Sequence, residues 1–260
     1  MQYCSGKSRI SKSIADEICK WEVKDIVCDC DSNRRERERE RESKTAVSLF
    51  CGTCSVESKL ANSFDVVICN DKQEYLIAML DGVQKGYELP EFISEEQYKY
   101  IREHKDEDKV LTGFAGFGCS FAGKFFGGYA RNKEQTNYAL QSKRSLLKDI
   151  ATLKNTKFIS MDYQDVDLPD GCVVYCDPPY RGTTAGYGLK ESFDSDKFWD
   201  YIREISKNHH VYISEQQAPD DFIPIWEKPF TRMMDSNKEN IFKSTEKLFV
   251  HKGVYEEITQ

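Results

Sequence analysis

The sequence lacks any apolar run approaching eighteen residues, which excludes a membrane-spanning helix. With 39% hydrophobic and 31% charged residues, it also lacks the composition of a collagen or a disordered tail. Its first residues, Met-Gln-Tyr-Cys-Ser-Gly-Lys-Ser-Arg, contain no apolar stretch of the kind found in secretory signals. We therefore expect a soluble, cytoplasmic globular protein with one large or two small domains.

The ten cysteines come without an export signal, so we expect free thiols and no disulfide framework. Cys51-x-x-Cys54 follows a predicted strand and precedes a predicted helix, which also has the form of a thioredoxin-like dithiol. Together with Cys28-x-Cys30 it could supply four thiolates to zinc, although the single spacer and the irregular loop between the pairs disfavour this. His209-His210 lacks a spaced carboxylate partner, and we assign no metal.

Short β-branched runs bounded by turn residues predict five buried strands, at residues 47–50, 66–69, 173–176, 211–214 and 248–250. Helical patterns lie between them, at residues 10–19, 55–61, 74–83, 95–103, 138–153 and 196–205. Strands that alternate with helices predict a mostly parallel sheet covered on both faces. A hairpin over residues 248–256 is expected to add an antiparallel edge.

Residues 34–42 read Arg-Arg-Glu-Arg-Glu-Arg-Glu-Arg-Glu and offer nothing apolar to bury on a helix or a strand. On a helix the i,i+3 pairs have opposite signs and the i,i+4 pairs have like signs, so the two effects largely cancel. We interpret the run as a solvated insertion. A nucleic-acid tether is the alternative, weakened by glutamates that neutralise nearly every arginine.

The overall charge of -7 hides a basic segment. Residues 109–149 hold seven Lys or Arg against two acidic residues, so the remainder of the chain is at -12. Within this segment, residues 112–131 interleave six glycines with six Phe or Tyr residues. Such a segment suits a groove that binds a polyanion and stacks its bases. An aromatic mini-core with glycine turns is the other interpretation.

The sharpest motif is Val-Val-Tyr-Cys-Asp-Pro-Pro-Tyr at residues 173–180, a predicted strand followed by a carboxylate, two prolines and an aromatic ring. Each proline restricts itself and the residue before it, so Asp177 and Pro178 are held extended beyond the strand. The Asp177 carboxylate and the Pro178 carbonyl can then accept from one amino group, while Tyr180 offers a π-face. This set suits an exocyclic amine on a heteroaromatic ring. A rigid turn with a surface carboxylate is the structural alternative.

Asp177-Pro178-Pro179-Tyr180 resembles the Asp-Pro-Pro-Tyr motif of the Dam-like DNA N6-adenine methyltransferases. Four further elements resemble those of this family in its α-group order, in which a cofactor loop and an inserted recognition segment precede the motif. They are Tyr3-Cys4-Ser5-Gly6-Lys7, the loop from Ser48 to Ser55, Cys69-Asn70-Asp71 and Met161-Asp162-Tyr163. The resemblance spans nearly the whole chain.

The resemblance implies an S-adenosylmethionine-dependent methyltransferase fold of the α/β class, with a mostly parallel, doubly wound sheet. The catalytic domain would comprise residues 1–80 and 150–260, with residues 81–149 as an inserted target-recognition domain. The implied activity is methyl transfer to N6 of an adenine flipped out of a short duplex DNA sequence, with GATC as a candidate. The implied cell context is the nucleoid of a prokaryotic or phage-infected cell.

The same resemblance implies roles for individual residues. Asp177, Pro178 and Tyr180 would be catalytic, without a metal. S-adenosylmethionine would be bound by Tyr3, Lys7, Phe50, Gly52, Asp71, Asp162, Tyr163 and Asp177. Lys7 would pair with its carboxylate, Asp71 with its ribose hydroxyls and Asp162 with its adenine amine. Double-stranded DNA would be contacted by Lys124, Tyr129, Arg131 and Lys133.

Three positions depart from the family pattern: Cys54 replaces a glycine of the cofactor loop, Leu49 replaces its proline and Ser5 replaces a glycine near Lys7. A nucleic-acid-binding module of the same fold that has lost turnover is therefore one alternative. An RNA adenine methyltransferase is another, because the adenine base is the same in RNA and DNA, which differ in the sugar. The sequence leaves open whether the protein works alone, in a phage or beside a restriction endonuclease.

Overall fold

The structure, a computed structural model, describes residues 7, 9–22, 44–179, 193–233 and 241–259, with side chains described except at 230–233 and 241–244. Its centre is a seven-stranded sheet. The strands are β1 (Thr45–Ser48), β2 (Val66–Asn70), β3 (Thr156–Ile159), β4 (Val173–Cys176), β5 (His210–Glu215), β6 (Phe222–Met233) and β7 (Ile241–His251). The Arg-Glu run at 34–42 lies outside the described residues.

The sheet has the order β3-β2-β1-β4-β5-β7-β6. Strands β1 to β5 are parallel, whereas β7 runs antiparallel between β5 and β6. This confirms the predicted α/β class and the mostly parallel sheet with an antiparallel edge. From β1 the chain continues to β2 and β3 in one direction across the sheet, and it then returns to β4 on the other side of β1. The strand order therefore reverses between β1 and β4, which makes this position the topological switch point.

The described helices are α1 (Ser11–Glu22), α2 (Glu57–Leu60), α3 (Glu74–Gln84), α4 (Glu95–Glu103), α5 (Lys109–Gly113), α6 (Tyr138–Ile150), α7 (Ser195–Ile205) and α8 (Lys252–Thr259). A π-helical turn, Phe114–Gly118, follows α5 directly. None of the helices in the described ranges is both long and apolar enough to cross a membrane.

Two hydrophobic cores cover the two faces of the sheet, because successive strand residues point to opposite faces. Ala46, Tyr175 and Tyr212 belong to the core that also holds residues of α1, α3, α6 and α8. Val47 and Val174 belong to the core formed with α7. The doubly wound architecture follows from strands that are apolar on both faces.

The predicted hairpin at 248–256 is wrong. The antiparallel edge is instead the β6–β7 pair, and residues 252–259 form α8. Val254 and Ile258 are four residues apart, so they lie on one helical face, and both are buried in the core that covers this face of the sheet.

Strands β3 and β6 were not predicted, whereas the predicted helix at 95–103 is confirmed with the same bounds.

Residues between α3 and α6 pack tightly on the sheet-covering helix α3. A Cβ atom at Gly113 would lie 2.0 Å from the Tyr75 carbonyl oxygen, so α5 approaches the α3 backbone at a distance that only glycine allows. Phe114 and Phe117 are buried in the same core as α1 and β2. The boundary at residues 80 and 81 falls inside α3, and the division into two domains stays a prediction.

Candidate active site

Four predicted site segments follow the carboxyl ends of four parallel strands. The loop from Leu49 follows β1, Asp71 follows β2, Asp162 lies beyond β3, and Asp177 follows β4. Because these strands are neighbours in the order β3-β2-β1-β4, their carboxyl ends meet at one edge of the sheet. Open α/β sheets bind ligands at this edge, next to the switch point.

The loop after β1 is fixed by backbone hydrogen bonds to its neighbours. The Leu49 N–H donates to the Tyr175 carbonyl at 3.0 Å, and the Cys51 N–H donates to the Asn70 carbonyl at 2.8 Å. Gly52 has a φ of 50°, in the left-handed region that glycine adopts without strain. The loop is therefore held between β4 on one side and β2 on the other.

Asp71 closes this loop from the β2 side. One carboxylate oxygen accepts from the Gly52 N–H at 3.0 Å and the other from the Gln73 N–H at 2.9 Å. Burial raises the pKa of Asp71, while the two N–H donors act against that rise. A carboxylate has about four lone-pair sites, so two remain for hydroxyl donors.

Asn70 is a site residue that the sequence interpretation assigned no role beyond its place in the motif. Its side-chain NH₂ donates to the carbonyls of Leu49 at 3.0 Å and Met161 at 3.2 Å. Its carbonyl accepts from the Met161 N–H at 3.1 Å. One buried amide thus joins the loops that follow β1 and β3, which fixes their relative positions.

Asp162 and Tyr163 begin a short 3₁₀ turn beyond β3. Partial burial raises the pKa of Asp162, but the hydrogen bond from Lys72, at 3.1 Å, prevails and lowers the pKa below its ordinary value. The Tyr163 ring lies 5.2 Å from the Phe50 ring and 5.8 Å from that of Phe198. The predicted cofactor residues Phe50 and Tyr163 therefore share one aromatic cluster.

Lys7 and Asp177 are in direct contact. The Lys7 Nζ lies 2.7 Å from Asp177 Oδ1, and the same ammonium donates to Glu246 on β7. Burial lowers the pKa of Lys7, but the charge of Asp177 and the other acidic neighbours outweigh burial and raise it. The ammonium therefore stays charged between two carboxylates, of which Glu246 is fully buried. Pairing of Lys7 with a cofactor carboxylate stays a prediction.

Two further acids, the buried Glu57 and the half-buried Glu215, lie near this pair and were not predicted as site residues. Glu57, at the start of α2, accepts from the Ser48 hydroxyl at 2.5 Å, and burial raises its pKa to about 7. Burial also raises the pKa of Glu215, at the end of β5, to about 7, and Lys7 acts against that rise. Acidic residues within helices and at strand ends usually indicate exposed surface, so no sequence signal marked them.

The predicted DNA contacts lie in different surroundings. Tyr129 is half-buried, its hydroxyl donates to the Ile93 carbonyl at 2.7 Å, and its ring lies 5.5 Å from that of Tyr98. Arg131 pairs with Glu95 at 3.3 Å. Lys124 and Lys133 are exposed, and no ion pair is recorded for either within the described residues.

Most rings of the glycine-aromatic segment form a packed mini-core, which was the other interpretation of that segment. Phe117 lies 4.8 Å from Phe125, which lies 4.8 Å from Phe126, and Phe126 packs at 5.2 Å on Tyr98. Phe121 is the exception, with 66% of its surface exposed. These mini-core rings are engaged with each other and are not free to stack on bases.

Of the remaining predicted residues, Pro178 is buried directly after Asp177. Tyr3 and Tyr180 lie outside the described residues, as do Cys28 and Cys30. All seven cysteines within the described ranges carry free thiols, as predicted.

Several solved methyltransferase structures share weak similarity with this chain. A precorrin-6y C5,15-methyltransferase from Geobacter metallireducens is 7% identical, with 94% of this chain and 87% of that chain covered and a TM-score of 0.38. Magnesium protoporphyrin IX methyltransferase from Synechocystis with bound SAM is 11% identical, with 94% and 81% covered and a TM-score of 0.35. A tRNA methyltransferase from Aquifex aeolicus is 10% identical, with 91% and 68% covered and a TM-score of 0.35.

The comparison at the level of sequence families is more specific. The family model for D12 class N6 adenine-specific DNA methyltransferase matches residues 26–114 and 118–253, which is most of the chain. The match includes the loop after β1, Asp71, the Asp162 turn and the Asp177 motif. The chain belongs to the D12 class N6 adenine-specific DNA methyltransferase family.

Proposed function

We propose that this protein transfers a methyl group from S-adenosylmethionine to N6 of an adenine in double-stranded DNA. The observation that carries the proposal is the placement of Asp177. Its carboxylate lies at the switch-point edge of the sheet, beside the β1 loop, and is held by the buried Lys7 ammonium at 2.7 Å. Family membership supports a methyltransferase that uses S-adenosylmethionine.

The chemistry requires acceptors rather than a strong base. The N6 lone pair of adenine is delocalised into the ring, so the amine is a weak nucleophile. The Asp177 carboxylate and the Pro178 carbonyl would accept from its two hydrogens and favour a pyramidal nitrogen with an available lone pair. Positioning of this kind supplies much of the rate enhancement in group transfer.

S-adenosylmethionine supplies an electrophilic methyl group on a sulfonium. N6 forms a bond to that methyl carbon while the carbon–sulfur bond breaks, and the electron pair stays on sulfur. The product nitrogen would then be cationic and would pass its proton to solvent after the transfer. The Lys7 ammonium, 2.7 Å from Asp177 Oδ1, holds this carboxylate in place as an acceptor. Lys7 acts here as a positioning residue.

The described residues fit the cofactor. Asp71 has free lone pairs for ribose hydroxyls beside Gly52, whose left-handed backbone brings the main chain close to a bound ligand. Asp162 and the rings of Phe50 and Tyr163 lie beyond the neighbouring strands and suit an adenine ring with its amine. We propose that these residues hold the cofactor along the strand ends.

Access to N6 requires the adenine to leave the duplex, which costs a few kcal/mol. We propose that residues 81–149 recognise the target and offset this cost. Exposed Lys124 and Lys133 suit phosphate contacts, while the exposed Phe121 ring suits an apolar contact with bases. Tyr180, next to the Asp177 loop, would stack on the flipped base. GATC is the first sequence to test.

Substitution of Asp177 tests the proposal. We expect Asp177→Ala to abolish transfer of labelled methyl to duplex DNA while S-adenosylmethionine binding, measured by calorimetry, remains detectable. Asp65→Ala is the matched control and should retain activity, because Asp65 is exposed and precedes the amino end of β2, away from the carboxyl ends of the strands. Substantial turnover by Asp177→Ala would refute the assignment.

A further inference from the structure

Three cysteine sulfurs meet beneath the loop that follows β1. The Sγ atoms of Cys51, Cys54 and Cys69 all lie within 4.8 Å of one another. Cys51 and Cys54 belong to the loop, whereas Cys69 is on the neighbouring strand β2. The sequence pattern pairs the first two only with Cys28 and Cys30, as a disfavoured zinc set, and gives no indication of Cys69.

The surroundings of these thiols do not suit a redox dithiol. All three side chains are buried, two of them fully. Reactive dithiols need access to solvent, which these buried thiols lack. A soft metal ion is the partner that compensates several buried thiolates at once.

The backbone already holds the three residues in place for one ion. The Cys54 N–H donates to the Cys51 carbonyl at 2.8 Å, and the Cys51 N–H donates to the Asn70 carbonyl at the same distance. Zinc–sulfur bonds of about 2.3 Å place sulfurs of one tetrahedral site about 3.8 Å apart. The three sulfurs lie within 4.8 Å of one another, so each separation exceeds that value by about 1 Å at most.

Cys54 provides an independent observation. Its φ is 56°, a left-handed conformation that is strained for a non-glycine residue. A glycine would adopt this conformation without strain, yet the chain places a thiol there and directs it into the core. Strain of this kind is commonly retained where the side chain has a role.

We propose that Cys51, Cys54 and Cys69 bind one thiophilic d10 metal ion, which in the cell would be zinc. Three sulfur–metal bonds form, and the three thiol protons pass to the solvent. The ion would join the β1 loop to β2 and stabilise the folded chain by mass action. Binding does not depend on methyl transfer, so this inference and the proposed function succeed or fail separately.

Cadmium is the probe, because its thiolate complexes absorb at longer ultraviolet wavelengths than those of zinc, further from the absorption of the peptide backbone. The reduced protein, with its chain as printed, is titrated with Cd²⁺, and we expect the absorbance of the thiolate-to-cadmium band to rise and then saturate. Part of this absorbance should be lost in Cys54→Gly. This substitution removes a ligand while suiting the backbone conformation. Circular dichroism and thermal unfolding of the metal-free variant check that it folds. Cd²⁺ and Zn²⁺ should each raise the melting temperature of the unmodified chain but not of Cys54→Gly.

Two control variants decide between sites. Cys19→Ser, on α1 and away from the loop, should keep the band, and the double variant Cys28→Ser/Cys30→Ser should keep the component that Cys54→Gly loses. Cys69→Ser should lose the same component as Cys54→Gly. A titration identical in Cys54→Gly and the unmodified protein, or one abolished only by the Cys28→Ser/Cys30→Ser change, would overturn the proposal.

Discussion

The Lys7 ammonium lies 2.7 Å from the Asp177 carboxylate although 170 residues separate them along the chain, and both lie at the carboxyl edge of the sheet. Lys7 is 6% exposed and also contacts the buried Glu246. The pair links the segment before α1 to the strand end of β4. The buried Lys7 ammonium thus contacts two carboxylates at the centre of the candidate site.

Removal of this cation should impair both folding and transfer. Lys7→Met removes the buried positive charge that contacts both Asp177 and Glu246. Breaking a buried ion pair in this way costs about 3 to 5 kcal/mol. We expect a lower melting temperature and a lower kcat for methyl transfer. Lys7→Arg, which keeps the charge, should recover part of both. Unchanged kcat in Lys7→Met would contradict the positioning role.

Glu57 should make stability depend on pH in the direction opposite to most carboxylates. Burial raises its pKa from 4.5 to about 7, so the folded protein holds the proton more tightly than the unfolded chain. Stability from this group is fully present below pH 4.5 and is lost as the pH rises through about 7.

Replacement of Glu57 by Gln tests that dependence. The amide oxygen can still accept from the Ser48 hydroxyl, and the group no longer ionises. Since each pKa unit corresponds to about 1.4 kcal/mol, the variant should be more stable than the unmodified protein by a few kcal/mol above neutral pH. Chemical denaturation over a pH series measures this. Part of the slope that remains should come from Glu215, whose pKa is also raised. Equal slopes in both proteins would show that Glu57 does not titrate as expected.

Phe121 should act on DNA and not on the cofactor. Its ring is 66% exposed while most neighbouring rings are packed, so Phe121→Ala should raise the KM for duplex DNA and leave S-adenosylmethionine affinity and melting temperature nearly unchanged. Tyr100→Ala, which removes a ring that is 53% exposed on α4, is the matched control. Equal DNA kinetics in the two variants would argue against a nucleic-acid contact at Phe121.

Gly113→Ala should destabilise the chain severely. The added Cβ would lie 2.0 Å from the Tyr75 carbonyl oxygen, so α5 and α3 would have to separate. We expect the free energy of unfolding to fall by about 1 to 3 kcal/mol, the usual cost of overpacking. Gly253→Ala, whose Cβ would lie 3.4 Å from the His251 ring, is the control and should unfold near the temperature of the unmodified protein.

The parallel centre of the fold was predictable because β1, β2 and β4 are short, apolar on both faces and bounded by turns. Strand β3, Thr-Lys-Phe-Ile, escaped prediction because it is half-exposed and carries a lysine. Strand β6 contains Pro224 and Pro229, which interrupt the strand pattern; both are tolerated because β6 is the edge strand.

Motifs in the sequence mark Gly52, Asp71 and Asp177, which the fold brings to one edge of the sheet, while their roles stay predictions. The partners that tune these residues were not predictable, because Glu246 approaches Lys7 only through the fold of β7. Cys69 likewise joins Cys51 and Cys54 through strand pairing and not through spacing. Long-range contacts of this kind carry no local signature in a single sequence.

The most direct measurement is single-turnover transfer of labelled methyl from S-adenosylmethionine to unmethylated duplex DNA, with an RNA duplex of matched sequence in parallel. Mass spectrometry of the digested product identifies the modified nucleoside. The account predicts N6-methyldeoxyadenosine from DNA, little label in RNA and no label from either with Asp177→Ala. Label that appears only in RNA, or at an atom other than N6, would contradict it.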